Sequence, residues 1–391
     1  MNYGDGEAQG YTFDAMGNRM SKTDNVTGNE TYAYNNANML LSRNGQAYTY
    51  DLNSTTGQVG NGNQLTGGGR VNTWDAENRL ITSVYNGKKS TYTYGADGLR
   101  RSAQVRNVSD NSLMRSTTYV LDGQNVVQDI TTAGTTVTTR TYLPGPTGAT
   151  GCTTRVHATS DGSHSANDTV ATRWYLYDGL GSVIGECDES GNITTQRSFD
   201  VYGAVRYSWS DSGENPTRNR FCGSLGHVQD DENGGLIYMR ARYMDPVTGR
   251  FISEDPAYKG FNWYIYCRDN PTNILDQSGK DGSLGEMLTS IGASLGLDIS
   301  GFAEVIDDML QIGIDKVEKT VAEVAYDKLA ASLVSMAEGT GAKGMIVWGY
   351  IASRGGEAFM ESLGEALSKS GDVSLDVDGT KQWLVLMFGD E

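Results

Sequence analysis

Residues 242–256 read Arg242-Tyr243-Met244-Asp245-Pro246-Val247-Thr248-Gly249-Arg250-Phe251-Ile252-Ser253-Glu254-Asp255-Pro256. Downstream come Asn262-Trp263-Tyr264-Ile265-Tyr266 and then Pro271-Thr272-Asn273-Ile274-Leu275-Asp276-Gln277-Ser278-Gly279-Lys280. Aspartate before proline is an ordinary turn former, because its carboxylate bonds to nearby backbone, and Asp245-Pro246 reads as such a turn. Lys280 also ends one sequence grammar. Before it the chain is Tyr- and Gly-rich; after Asp281 apolar residues recur at helical steps.

Working upstream, one unit recurs: aromatic-x-aromatic-Asp/Asn, then a turn containing Gly or Asn. Copies are Tyr11-Thr12-Phe13-Asp14, Tyr32-Ala33-Tyr34-Asn35, Tyr48-Thr49-Tyr50-Asp51, Trp74-Asp75, Tyr92-Thr93-Tyr94-Gly95 and Trp174-Tyr175-Leu176-Tyr177-Asp178, with a degenerate copy at Phe199-Asp200-Val201-Tyr202-Gly203. Strand side chains alternate between faces, so the paired aromatics share one face. The Asp then turns the chain through its own backbone, with Gly in the left-handed position. Fifty Gly, and 22 Tyr against 8 Phe, suit many short strands joined by tight turns. Each copy needs neighbours to bury its aromatic layer, so the repeats predict a mainly β strand array. The Gly/Ser/Thr-rich segment from Gly145 to Val170 reads as a loop insertion, with His157 and His164 as solvated loop residues.

These motifs together resemble Rhs/YD-repeat proteins, and residues 206–280 resemble the repeat-associated core that closes their shells. Phe221-Cys222-Gly223 and Leu236-Ile237-Tyr238-Met239-Arg240-Ala241-Arg242 match the lead-in strands of that core. The resemblance implies a YD-repeat β-strand shell, or partial cocoon, over residues 1–205. It implies a core with an autoprotease motif over 206–280 and a variable effector domain over 281–391. Family members that enclose a whole toxin carry more repeats, so this chain is expected to form only the cap of a container.

The resemblance also implies chemistry. Matched position by position, the family's two protease aspartates fall on Asp255 and Asp276, and its arginine on Arg242. The expected cut is between Lys280 and Asp281. Amide hydrolysis needs an activated water and a proton for the departing nitrogen. Two adjacent carboxyls cannot both ionise cheaply, so one serves as acid and one as base, titrating as a pair. Arg242 either holds a carboxylate ionised or polarises the scissile carbonyl. Gln277 replaces the family's proline and Lys280 its final leucine. The implied role is a secreted or cell-surface carrier that releases its own C-terminal domain as cargo, with a cognate immunity protein and a secretion apparatus as partners. The alternative is a non-cleaving YD-repeat binding or adhesion protein.

Composition narrows the remaining classes. Net charge is −17, of which residues 281–391 carry −12 from 7 Lys/Arg and 19 Asp/Glu. Such a tail repels phosphate backbones, so no nucleic-acid partner is expected. No His or Cys follows residue 280, which excludes Ser/His/Asp triads and Cys nucleophiles there. Cys152, Cys187, Cys222 and Cys267 are widely spaced and read as free thiols; no metal or cofactor is expected. The N-terminus lacks the basic region and apolar core of a signal peptide, and no run reaches the roughly 20 apolar residues of a spanning helix. The tail reads as a small α or α+β domain. Helices are expected over 306–336 and 357–369, and a terminal hairpin around Asp378-Gly379. Two alternatives remain open for it: a membrane-active toxin, suggested by the apolar runs 287–297 and 344–353, or a small globular domain.

Overall fold

The computed structural model describes residues 6–52, 59–145, 148–159, 167–211, 216–258 and 261–280. The effector expected over 281–391, including Asp281, lies outside the described residues, as does His164.

The described chain is mainly β, built as antiparallel sheets in which each strand pairs with its sequence neighbour. A first sheet holds β1 (Gln9–Phe13), β2 (Arg19–Asp24), β3 (Glu30–Tyr34), β4 (Leu40–Arg43) and β5 (Gln46–Ala47). The second has fourteen strands. It begins with β6 (Thr49–Leu52), β7 (Val59–Gly67), β8 (Arg70–Trp74), β9 (Leu80–Tyr85), β10 (Lys88–Tyr94), β11 (Arg100–Asn107) and β12 (Leu113–Asp122). It continues through β13 (Asn125–Ala133), β14 (Thr136–Gly145), β15 (Gly148–Ala158), β16 (Thr169–Tyr177), β17 (Val183–Cys187), β18 (Ile193–Phe199) and β19 (Val205–Ser210). A four-stranded sheet, β20 (Val228–Asp230), β21 (Leu236–Met239), β22 (Arg242–Asp245) and β23 (Arg250–Phe251), follows. Among the described residues no helix is long and apolar enough to cross a membrane.

The turns explain the repeat. Asp14 Oδ1 accepts the N–H groups of Met16 and Asn18, and the same pair of bonds recurs at Asn35, Asp75, Asp178, Asp188 and Asp200. Three residues after each of these sits a left-handed residue: Gly17, Asn38, Asn78, Gly181, Gly191 or Gly203. This is a type I turn followed by a bulge. The pairing register shifts at the residue before the turn, as at Thr12/Phe13, Thr73/Trp74 and Ser198/Phe199. The Asp188 copy follows Cys187 rather than an aromatic, so an aromatic-based reading passes over it.

Two segments depart from expectation. Residues 145–170 are not a plain loop insertion: β15 pairs along its length with β14, and its residues 151–156 pair with β16. Thr and Val favour a pleated surface, and this outweighs the flanking glycines. His157 therefore lies on β15, where its Nδ1 is 2.7 Å from Asp168 Oδ1. Phe221–Gly223 is not a strand either but leads into a 3-10 turn at Gly223–Leu225.

The small sheet docks on the large one through a shared core. Leu80, Tyr92, Ala103 and Tyr119 of the large sheet pack with Leu236, Tyr238, Tyr243 and Ile252. A second cluster gathers Tyr202, Phe221, Cys222, Ile237, Met239, Met244, Phe251 and Tyr266. The site described next stands against this second cluster.

Candidate functional site

Arg242 opens β22 directly after the β21–β22 turn, in which Arg240 takes a left-handed φ of 58°. Its side chain is 3% exposed and its guanidinium carbon lies 3.5 Å from the centre of the Phe251 ring. Asp255 follows β23 at a turn: its Oδ1 accepts the Ala257 N–H at 2.8 Å, and its carbonyl accepts the Tyr258 N–H at 3.0 Å. Asp276 is fully buried, and its Oδ1 accepts the N–H groups of Ser278 at 3.2 Å and Gly279 at 2.7 Å.

The three residues converge. Arg242 Nη2 lies 3.6 Å from Asp255 Oδ2 and 3.7 Å from Asp276 Oδ2, so one nitrogen faces both carboxylates. Arg242 Nη1 donates to the Trp263 carbonyl at 2.9 Å, and Nε donates to the Gly279 carbonyl. The guanidinium thus contacts both acids and a main-chain carbonyl of the segment that leads to Lys280.

Further contacts hold that segment, and residue types alone do not announce them. Arg240 Nη1 donates to the Gln277 carbonyl, beside which His227 Nε2 lies at 3.4 Å. The Ala241 N–H donates to the Ser278 carbonyl at 3.0 Å. Gly279 has φ +72°, and a Cβ there would fall 2.0 Å from the Met239 carbonyl oxygen. Only glycine lets the segment lie this close to the β21–β22 turn. Lys280 is exposed, at the edge of a cleft of about 250 Å³ that Glu77, Asp97, Gln124 and Pro256 also line.

The surroundings are dry. Burial pushes the Cys222 thiol up to about 12, with Asp276 adding to the shift, and raises the Tyr266 phenol well above its ordinary value. Burial, with Arg240 nearby, pulls His227 down to about 3, so it is neutral at physiological pH. Burial among aromatic rings lowers the local dielectric and strengthens every charge interaction inside. Asp245 stands apart: it pairs with Arg70, and its Oδ1 accepts the Val247 N–H at 3.1 Å, as a turn residue would.

The chain is 28% identical over 287 residues to the tRNA3(Ser)-specific nuclease WapA of Bacillus spizizenii, a match covering 70% of this chain and 11% of that protein. It is 26% identical over 311 residues to toxin subunit YenC1 of Yersinia entomophaga, covering 74% of this chain and 31% of that one. One of these relatives is named a nuclease and the other a toxin subunit. The chain spans about a tenth of the nuclease and under a third of the toxin subunit. A crystal structure of TcdB2-TccC3 is similar over 70% of this chain and 17% of its own, at 20% identity and a TM-score of 0.46. No protein-family model matches the chain.

Proposed function

We propose that this chain is the carrier end of a toxin and cuts its own backbone after Lys280, freeing residues 281–391 as the effector. The observation that supports this reading most is the single Arg242 guanidinium, which faces Asp255 and Asp276 while donating to the Gly279 carbonyl. Paired carboxyls supply a base for water and an acid for the departing nitrogen. A buried cation that holds the Gly279 carbonyl fixes the segment just before the bond in place. The aspartic-protease roles, the YD-repeat shell and the domain boundaries at 205 and 280 are parts of the same proposal. So are an immunity protein for the tail and a secretion-apparatus partner, which rest on family resemblance.

The test is a denaturing gel of the purified full chain, with Asp255→Asn and Asp276→Asn beside it. Two fragments, of about 280 and 111 residues by the proposed boundary, are expected from the parent chain and none from either variant. A single intact band from the parent chain leaves a passive adhesion protein as the better reading.

A further inference from the structure

Tyr48 alone separates β5 from β6, yet the two strands belong to different sheets, and β1 and β19 each end a sheet of their own. Among the described residues no backbone ladder joins the first sheet to the second. Side chains join them instead. Arg206 of β19 donates from Nε to Glu7 Oε2 at 3.1 Å, pairs with the same carboxylate through Nη2, and holds Nη1 3.5 Å from the buried Asp24 Oδ2 of β2. Toward the core, Arg250 donates to Asn18 Oδ1 at 3.0 Å and to the Asn38 carbonyl at 2.6 Å, and Asn262 donates to the Met16 carbonyl at 2.9 Å. Tyr11, edge-on to Tyr202 at 5.6 Å, adds an apolar tie. Water replaces such polar contacts at modest net cost. The second sheet, by contrast, docks through the apolar cluster of Leu80, Tyr92, Leu236 and Ile252.

We propose that β1–β5 form a flap that swings about Tyr48 and is latched at its far side by Arg206, and that the charge state of Asp269 sets how firmly it is shut. Tyr48 suits a pivot. Its N–H donates to the Leu41 carbonyl of the flap at 2.9 Å, and its ring lies against Gly67 of β7, where a Cβ would fall 2.0 Å away. Asp269 ends a run of three left-handed residues, Cys267, Arg268 and Asp269, with φ of 50°, 51° and 60°. Such a run persists only where its surroundings fix it. It sets the carboxylate on the β1–β2 turn: a Cβ on Gly17 would fall 2.6 Å from Asp269 Oδ2.

The groups facing Asp269 are Asp14 of that turn, Arg19 of β2, Tyr34 of β3, Tyr202 and Arg250 of β23. Burial outweighs the two arginines and pushes Asp269 up to about 7. Burial also raises Tyr34 and Tyr202, which stay neutral. Asp14 stays ionised, because bonds from Asn18 hold it below its ordinary value in spite of burial. A raised folded value means that the proton on Asp269 favours the docked flap. That contribution is complete below the ordinary 3.8, drains as pH rises, and is gone above about 7. The flap therefore loosens on passing from acid to neutral pH, baring its inner aromatic face without a cut in the chain.

Hydrogen–deuterium exchange on the full chain, corrected for the intrinsic pH dependence of amide exchange, tests this. Protection in β1–β4 should fall about tenfold per pH unit from pH 5 to 7 and level off above, while that in β8–β14 holds. Asp269→Asn cannot ionise and should keep β1–β4 at the parent's pH 5 protection up to pH 8. Arg206→Ala should lower protection in β1–β4 at least about tenfold at every pH and leave β8–β14 unchanged. Should both sheets lose protection together in every chain, β1–β5 belong to one cooperative unit and the flap is overturned. A parent chain without that pH dependence, or a dependence that survives Asp269→Asn, overturns the role of Asp269. These amides report the same equilibrium whether or not the chain cuts itself, so the result stands apart from the self-cleavage reading.

Discussion

Arg242 and His227 meet different carbonyls of the same peptide segment, Gly279 O and Gln277 O, and each makes a separable prediction. Arg242→Lys keeps a positive charge near Asp255 and Asp276 but loses the planar fork that also reaches Trp263 O and Gly279 O. If these contacts hold the two acids and the segment before the bond in register, the rate of fragment appearance falls about 10²-fold, the scale of a misplaced reacting group. A time course on gels reads it, and a rate equal to the parent's would remove that role. His227 is 1% exposed, and its folded value of about 3 lies well below the ordinary 6.5. A depressed folded value means that protonation favours the unfolded chain. The stability it protects is therefore complete above about pH 6.5 and drains away as pH falls toward about 3. Unfolding free energies from urea titrations at pH 7, 5.5 and 4 should fall faster for the parent than for His227→Gln, by up to ~1.4 kcal/mol per pH unit. Equal slopes would show that His227 titrates normally. The family resemblance pointed to Arg242, Asp255 and Asp276 from motif positions. His227, Arg240 and Ala241 were illegible because they act on main-chain carbonyls, and any donor suffices for that.

Among the elements, the turn was the legible unit. Asp at one position and Gly or Asn three residues later leave a trace in the sequence because each is demanded by backbone geometry. The same chemistry at Asp188 has no aromatic before it and so escaped a pattern keyed to tyrosine. Strand β15 was hidden for the opposite reason: its threonines and glycines read equally well as loop, and only the neighbours β14 and β16 decide the matter. The turns are not equal in weight. Asp200 is 7% exposed, and the N–H groups of Tyr202 and Ala204 depend on its buried carboxylate. Asp200→Ala strands those donors, and an expected loss of about 2–4 kcal/mol follows from one to two unmade bonds in a buried setting. Asp188 makes the equivalent bonds in the open, where water replaces them. Asp188→Ala should shift the denaturation midpoint far less, and a comparable shift would mean that turn geometry rather than burial sets the loss.

At the scale of the described molecule, the site exists because the small sheet is held on the large one. Motifs could not foretell how, since the ties cross more than a hundred residues. Arg100 of β11 meets Asp230 of β20 at 2.5 Å, and Arg70 of β8 pairs with Asp245 of β22. Both sides of the Arg100 pair are buried, and Tyr92, Tyr119, Tyr238 and Tyr243 surround the guanidinium. Removing one partner of a buried pair leaves the other charge uncompensated, typically at 3–5 kcal/mol. The two removals are unequal here. Asp230 also faces Arg218 at 3.3 Å, so Arg100→Met leaves that carboxylate a cation and puts an apolar chain among the tyrosines. Asp230→Ala instead leaves Arg100 and Arg218 in one dry space, with only Arg218 compensated, by Glu232 at 2.7 Å. The expectation is that Asp230→Ala loses about 3–5 kcal/mol in denaturant unfolding and Arg100→Met clearly less. Arg242 and Arg240 ride on the same small sheet, so Asp230→Ala should slow self-cleavage as well as destabilise. Equal losses in the two variants would show that the contact acts as a simple pair, with Arg218 outside it. Destabilisation with an unchanged cleavage rate would show that the carboxylates and Gly279 keep their geometry without the dock.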